Sequence, residues 1–290
     1  MSSISPFIRL LRPHQYIKNS FIAAPIIFGN QLLNTDAVAN TALAFGAFCL
    51  LASAIYILND INDIPDDRRH PIKKKRPLAS GEVNILQAVV LAGFLMVMSF
   101  AIPLLFLPRI VLGVMAAYVV MNLAYSFGLK HRPIIDVVCI AIGFVLRIFL
   151  GGKATGVSIS PWIVIMTFLL ALFIGLAKRY DDLLLFNQGH VVRKAMDGYN
   201  DQFIALAMGI MASVTIVAYI LYTVSPPVVE KHGPHLYVTG FWVVCGILRY
   251  LQITFVEQKS GSPTWVIWHD RVLQGTILMW LVNIYYLLYW

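Results

Sequence analysis

A chain of 290 residues with 59% hydrophobic and 12% charged positions has about half the charge of an ordinary globular domain. It cannot cover a water-facing surface with polar side chains, which excludes a soluble globular protein and makes a bilayer its expected solvent. The net charge of +8 comes from cations gathered in short segments between apolar runs. It follows from membrane topology and calls for no nucleic-acid partner.

The first twenty residues hold Arg9, Arg12, Lys18 and two prolines instead of an apolar core and a small-residue cleavage site, so no signal peptide is expected. At about 20 residues per crossing, the apolar runs predict nine membrane helices. The first, 17–33, is interrupted by Pro25, Gly29 and Asn30; the second is 37–58. Then come 83–108, 110–129, 133–152, 154–177, 202–229, 236–256 and 272–290. Segment 133–152 carries Asp136 near its start and Arg147 deep inside, and 236–256 carries Arg249. A charge as deep as Arg147 usually faces the bundle interior, as a tie to a buried polar group or as a ligand contact. Cys49, Cys139 and Cys245 lie in apolar runs without paired spacing and read as free thiols. The seven histidines form no metal-ligand pattern.

With the N-terminus inside, segments 1–16, 59–82, 130–132, 178–201 and 257–271 hold sixteen Lys and Arg, and the opposite side holds Arg109, Lys153 and Lys231. That asymmetry predicts an integral cytoplasmic-membrane protein with its charged loops in the cytoplasm. The expected organisation is all-α: a polytopic helix bundle forming one transmembrane domain over 1–290. The two longest charged loops, 59–82 and 178–201, follow the second and sixth helices on the same side, an offset that hints at duplication.

The segment 59–81, NDINDIPDDRRHPIKKKRPLASG, carries the chemistry. Asp60, Asp63 and Asp67 stand three and four residues apart and share one face of a helix. Carboxylates so aligned repel unless a cation lies among them. Oxygen ligands of this kind suit Mg²⁺ (or Mn²⁺), and Arg68, Arg69, Lys73, Lys74, Lys75 and Arg76 beside them suit phosphate oxygens. The block reads as a metal–diphosphate site at a membrane surface. Pro65 conflicts with a continuous helix, and a new turn beginning near Asp63 removes the conflict. Asn59 adds a neutral oxygen. The second loop opens KRYDD, Lys178 to Asp182, with the same mixture of charges. Asn122, Tyr125, Ser126 and Lys130 mark the end of the fourth helix, and Asp201 reads as a helix cap.

The pattern NDxxDxxxD at 59–67 resembles the first aspartate-rich motif of the UbiA superfamily of intramembrane prenyltransferases. The longer string DRxHPxKxxRPxASG at 67–81 is similar to its decaprenyl-phosphate phosphoribosyltransferase branch. LRPHQYIKN at 11–19, YSFGLKHRPIIDV at 125–137, GFVLRIFLGG at 143–152 and RYLQITF at 249–255 agree, in order along the chain. The branch usually reads KRYAE where this chain has KRYDD. Residues 181–185, DDLLL, lack the second DxxxD of the aromatic prenyltransferases.

The resemblance implies a nine-helix enzyme with a cytoplasmic Mg²⁺–diphosphate site. It implies transfer of phosphoribose from phosphoribosyl diphosphate to a polyprenyl phosphate. Asp60, Asp63 and Asp67 would hold the metal, and Asn59 would orient them. Lys73, Arg76, Lys178 and Arg179 would bind phosphates, with Lys18, Lys130, His70 and Tyr125 within the same site. Tyr180 and Asp182 would contact ribose hydroxyls or support the cations. An aromatic prenyltransferase would use the same metal site. A transporter would show Gly- or Pro-broken helices near mid-membrane, a signature this sequence lacks.

Overall fold

The computed structural model describes residues 5–69, 73–188 and 194–290, and every regular element among them is helical. Helix α1 (Pro6–Leu11), a 3-10 stretch (Pro13–Ala23) and α2 (Ala24–Phe28) precede the long α3 (Thr35–Asn62) and short α4 (Ile64–Arg69). Next come α5 (Ile85–Phe106), α6 (Ile110–Phe127), α7 (Ile135–Thr155) and α8 (Pro161–Asn187). The last are α9 (Asp201–Thr223), α10 (Pro226–His232), α11 (Gly240–Phe255), α12 (Pro263–His269) and α13 (Arg271–Tyr289). Among the described residues eight helices are long and apolar enough to cross a membrane; a 3-10 turn before α11 extends that span to Leu236–Phe255.

The interrupted run 17–33 is not a ninth span of that kind. The 3-10 stretch leads into α2, which stops at Gly29, and Asn30 turns to φ 58°. Asparagine tolerates that left-handed conformation better than most residues. Two other boundaries move. Gly156, at φ 74°, ends α7, and Pro161 opens α8 as its first residue. Helix α8 then continues through Lys178–Asp182 to Asn187, because Leu183 after the acids is again a core residue.

The chain packs as two compact units. The first contains the residues up to Arg132 and Leu146–Ile159; the second contains Pro133–Val145, Ser160–Asn187 and the residues from Lys194 on. In the first unit Ala44, Ala47, Phe48, Leu51 and Ile55 form one stripe of α3. They meet Val111, Met115 and Tyr118 of α6 and Leu150 and Ala154 of α7. Another stripe, Ala54 and Ile57, packs on Ala88, Ala92 and Leu95 of α5. Small residues at these positions let membrane helices approach closely.

In the second unit α8 lies along α9 and α11 along α13. Arg249 joins Asp270 Oδ2 (2.5 Å) and Glu257 Oε1 (2.7 Å), and Asp270 caps α13 by accepting from the Leu273 amide at 2.7 Å. Asn200, not Asp201, caps α9, accepting from Phe203 N at 2.7 Å. Asp201 takes the first helical position, where its charge still complements the helix dipole.

Within the first unit Gly151 of α7 faces the 3-10 stretch so closely that a Cβ would lie 1.9 Å from the Ile22 carbonyl oxygen. The Gly151→Ala variant should therefore lose about 1–3 kcal/mol of stability by overpacking. An unfolding midpoint in detergent equal to that of the natural protein would contradict this packing.

Candidate functional site

In the first unit the motif acids sit where α3 gives way to α4. Asp63 closes α3 (φ −93°, ψ 3°) with its amide on the Asn59 carbonyl, and α4 restarts at Ile64 with Pro65 in its first turn. The expected restart thus separates the acids. Asp60 and Asp67, each 3% exposed, converge on one nitrogen: Arg76 Nη1 donates to Asp60 Oδ1 at 3.0 Å and to Asp67 Oδ2 at 2.7 Å. Arg12 Nη2 adds a second cation to Asp60 at 2.5 Å. Asp63 turns instead to Lys130, whose Nζ lies 2.5 Å from Oδ1. Asn59 Oδ1 accepts from Ser126 Oγ.

Among the described residues no three Asp, Glu, His or Cys side chains converge as a ready metal cage. The donor set still fits Mg²⁺, which is usually held by one or two carboxylates together with substrate phosphates. Asp60 and Asp67 form such a pair, with the Arg76 guanidinium now between them.

The first unit holds further residues singled out in the sequence. Lys18, half-buried on the 3-10 stretch, is pulled down to about 8 by burial and by the Arg147 and Arg12 charges. Arg147, 4% exposed, donates Nε to Asn19 Oδ1 at 2.9 Å and Nη2 to Tyr118 OH at 3.4 Å. Its guanidinium lies 4.8 Å from the Phe48 ring centre and 5.2 Å from that of Tyr118. These contacts make it a structural tie through a neutral amide and two aromatic faces. Lys73 stands in a short 3-10 turn (Lys73–Lys75), and Tyr125 is half-buried on α6. His70 lies outside the described residues.

The second unit holds another cluster. Arg179 of α8 is fully buried, with Nε 2.7 Å from Asp136 Oδ2, itself at 0% exposure, and Nη1 paired with Asp182. Tyr199 OH donates to Asp136 Oδ1 at 2.8 Å and accepts from the Ile134 amide at 2.6 Å. Burial raises the Tyr199 phenol above its usual range and the Asp136 charge adds to this, so it stays a proton donor. Tyr180 packs edge-on against Phe255, ring centres 4.8 Å apart. Lys178 and Asp182 are partly exposed. Arg179, expected from sequence to bind phosphate, is thus enclosed by two acids and fixes Asp182. Arg12 and Tyr199 were not among the sequence candidates. Arg12 counted only towards topology, and Tyr199 lies in no motif.

The UbiA prenyltransferase family model matches residues 22–283. A decaprenyl-phosphate phosphoribosyltransferase of Mycolicibacterium smegmatis is 33% identical over 97% of this chain and 92% of its own. The protein of that name from Corynebacterium glutamicum is 32% identical over 94% and 83%. The structure of a UbiA homolog from Archaeoglobus fulgidus bound to GPP and Mg²⁺ superposes with a TM-score of 0.71 at 17% identity, covering 98% of this chain and 99% of that one.

Removing one partner of a buried ion pair strands the other charge, at about 3–5 kcal/mol. The Arg179→Gln variant should lose stability on that scale, since Asp136 is enclosed beside it. Adding Asp136→Asn should restore part of the loss, which thermal unfolding of both variants in detergent would reveal. An unaffected single variant would show that the pair carries no such weight.

Proposed function

Because this chain belongs to the UbiA prenyltransferase family, we propose that it transfers phosphoribose from phosphoribosyl diphosphate to a polyprenyl phosphate at the cytoplasmic membrane face. The observation that carries this reading is similarity at about a third identity, from end to end, to proteins named for that reaction. The expected lipid is of the decaprenyl class.

In the reaction a phosphate oxygen of the lipid forms a bond to ribose C1 while the C1–O bond to diphosphate breaks. Diphosphate departs with the electron pair. The attacking oxygen is already anionic, so no strong general base is required. A divalent cation bound with the diphosphate supplies charge neutralisation at the leaving group. Asp60, Asp63 and Asp67 are its proposed ligands, with Asn59 orienting them. Arg76 and Lys130, which these acids hold in place, turn their donors to phosphate oxygens, joined by Lys18 and Lys73 of the same unit. Arg179 and Asp182, locked together, support the end of α8 on which Lys178 stands. Tyr125 borders the donor, and the polyprenyl tail lies among lipid-facing apolar side chains. The alternative within the family is prenyl transfer from a prenyl diphosphate to an aromatic acceptor.

Purified protein given labelled phosphoribosyl diphosphate and a polyprenyl phosphate should form a lipid-soluble phosphoribose and release diphosphate. Excess EDTA should stop this, and added Mg²⁺ should restore it. If no such product forms while a prenyl group passes to an aromatic acid, the alternative reaction is the correct one.

Asp63→Asn should lower turnover at least about a hundredfold, the scale of removing a preorganised charge at the reacting centre, a loss that persists in the folded fraction even where unpairing Lys130 lowers stability. Unchanged turnover in a folded variant would move the metal site elsewhere.

A further inference from the structure

One cavity of the first unit differs from its surroundings. Near the ends of α3 and α6 about 210 Å³ of space is lined by Asn59, Asn62, Asn122 and Ser126, with apolar side chains of the same two helices around them. Three carboxamides and a hydroxyl are costly on membrane helices unless they find partners. The hydrogen bonds present satisfy them incompletely. Ser126 Oγ lies against Asn59 Oδ1 and 2.8 Å from the Asn122 carbonyl. Asn122 Nδ2 donates to the Tyr118 carbonyl at 2.8 Å, and Asn62 Nδ2 donates to the Ser126 carbonyl at 3.4 Å. Among the described residues, no hydrogen bond reaches the side-chain oxygen of Asn62 or Asn122. Each is left an acceptor.

The lining contains no Lys, Arg, Asp or Glu, so its chemistry is that of a neutral ligand with hydroxyl donors, not of a phosphate. The volume falls below the ~300–1,000 Å³ of a typical whole-ligand pocket, so it suits one part of a larger molecule. Asn59 immediately precedes Asp60 and lies one helical turn before Asp63, which puts the cavity beside the carboxylates.

We propose that this cavity is the sugar subsite, in which Asn62 and Asn122 Oδ1 accept hydrogen bonds from the 2- and 3-hydroxyls of the transferred pentose. The inference rests on the phosphoribosyl reading above and deepens it. An isoprenoid chain carries no donor for these oxygens, so the same lining offers a prenyl donor no hydrogen bond in exchange.

The test compares kcat/KM for phosphoribosyl diphosphate with that for its 2-deoxy and 3-deoxy analogues, in the natural protein, Asn62→Leu and Asn122→Leu. The natural protein should prefer the full ribosyl donor at least about tenfold. In each variant the preference should shrink towards one for one of the deoxy analogues. A purely structural effect would lower all donors together and leave the ratios alone. Asn62 is exposed at the end of α3, so its variant keeps the comparison valid if Asn122→Leu folds poorly. Equal use of all donors by the natural protein, or unchanged ratios in the folded variants, overturns the subsite and leaves the transfer reaction standing. Absence of any phosphoribosyl transfer to lipid phosphate overturns both.

Discussion

The Arg76 guanidinium shared by Asp60 and Asp67 is the interaction around which the first unit's site is arranged. Two carboxylates at 3% exposure would be expensive as bare charges, and a cation between them removes the repulsion that their spacing creates. Arg76 stands 16 residues after Asp60 in the chain, so this contact also folds the basic segment back onto the end of α3. Arg12 and Lys130 complete the balance from the N-terminal segment and from the 3-10 turn after α6. Three acids thus face three cations, and the group is close to neutral. On the proposed function, an incoming diphosphate alone would take cations and strand carboxylates, and a metal ion alone would do the reverse. Supplied together they let every charge exchange one partner for another.

The second unit answers a related problem with a buried ion pair. Arg179 is enclosed, with Nε beside Asp136 and Nη1 on Asp182, while its buried Nη2 has no hydrogen-bond partner among the described residues and Tyr199 covers the remaining oxygen of Asp136. This ties the start of α7 to α8 and to the segment before α9. The departure KRYDD is accommodated locally. Asp182 reaches Arg179 one turn away despite being a methylene shorter than the usual glutamate. Asp181 fits against Gly261, where a Cβ would come within 2.9 Å of its Oδ2. A bulkier residue at 261 would press on that acid.

Helix positions were legible in the sequence because an apolar run of membrane length has few alternative structures. Helix ends were not. Hydropathy falls at the first charges, yet α3 continues to Asn62 and α8 to Asn187, since a helix keeps its hydrogen bonds through polar turns as long as one face still packs. The run 17–33 does not form one long α-helix: it folds as a 3-10 stretch followed by the short α2, which stops at Gly29. In the site the acids could be read from their spacing alone. Their partners could not, because Arg12 lies 48 residues before Asp60 and Lys130 lies 67 after Asp63. No local rule connects residues so far apart. Arg179 shows the limit of residue type as a guide, since a cation beside a motif is equally suited to a phosphate or to a buried acid.

The leaving group accounts for only part of the chemistry in such a fold. Diphosphate departs from a sugar carbon or an allylic carbon with the same charge, so carboxylates and cations at the end of α3 serve either donor. What distinguishes the donors is the group left behind: a ring bearing hydroxyls, or a hydrocarbon chain. The end of α6 therefore carries the discriminating surface on the proposed reading. Asn122 and Ser126 occupy positions on a mostly apolar helix, where polar side chains are uncommon and usually serve a partner or a ligand. Their presence beside Asn59 and Asn62 is explained if the group that enters brings hydrogen-bond donors of its own.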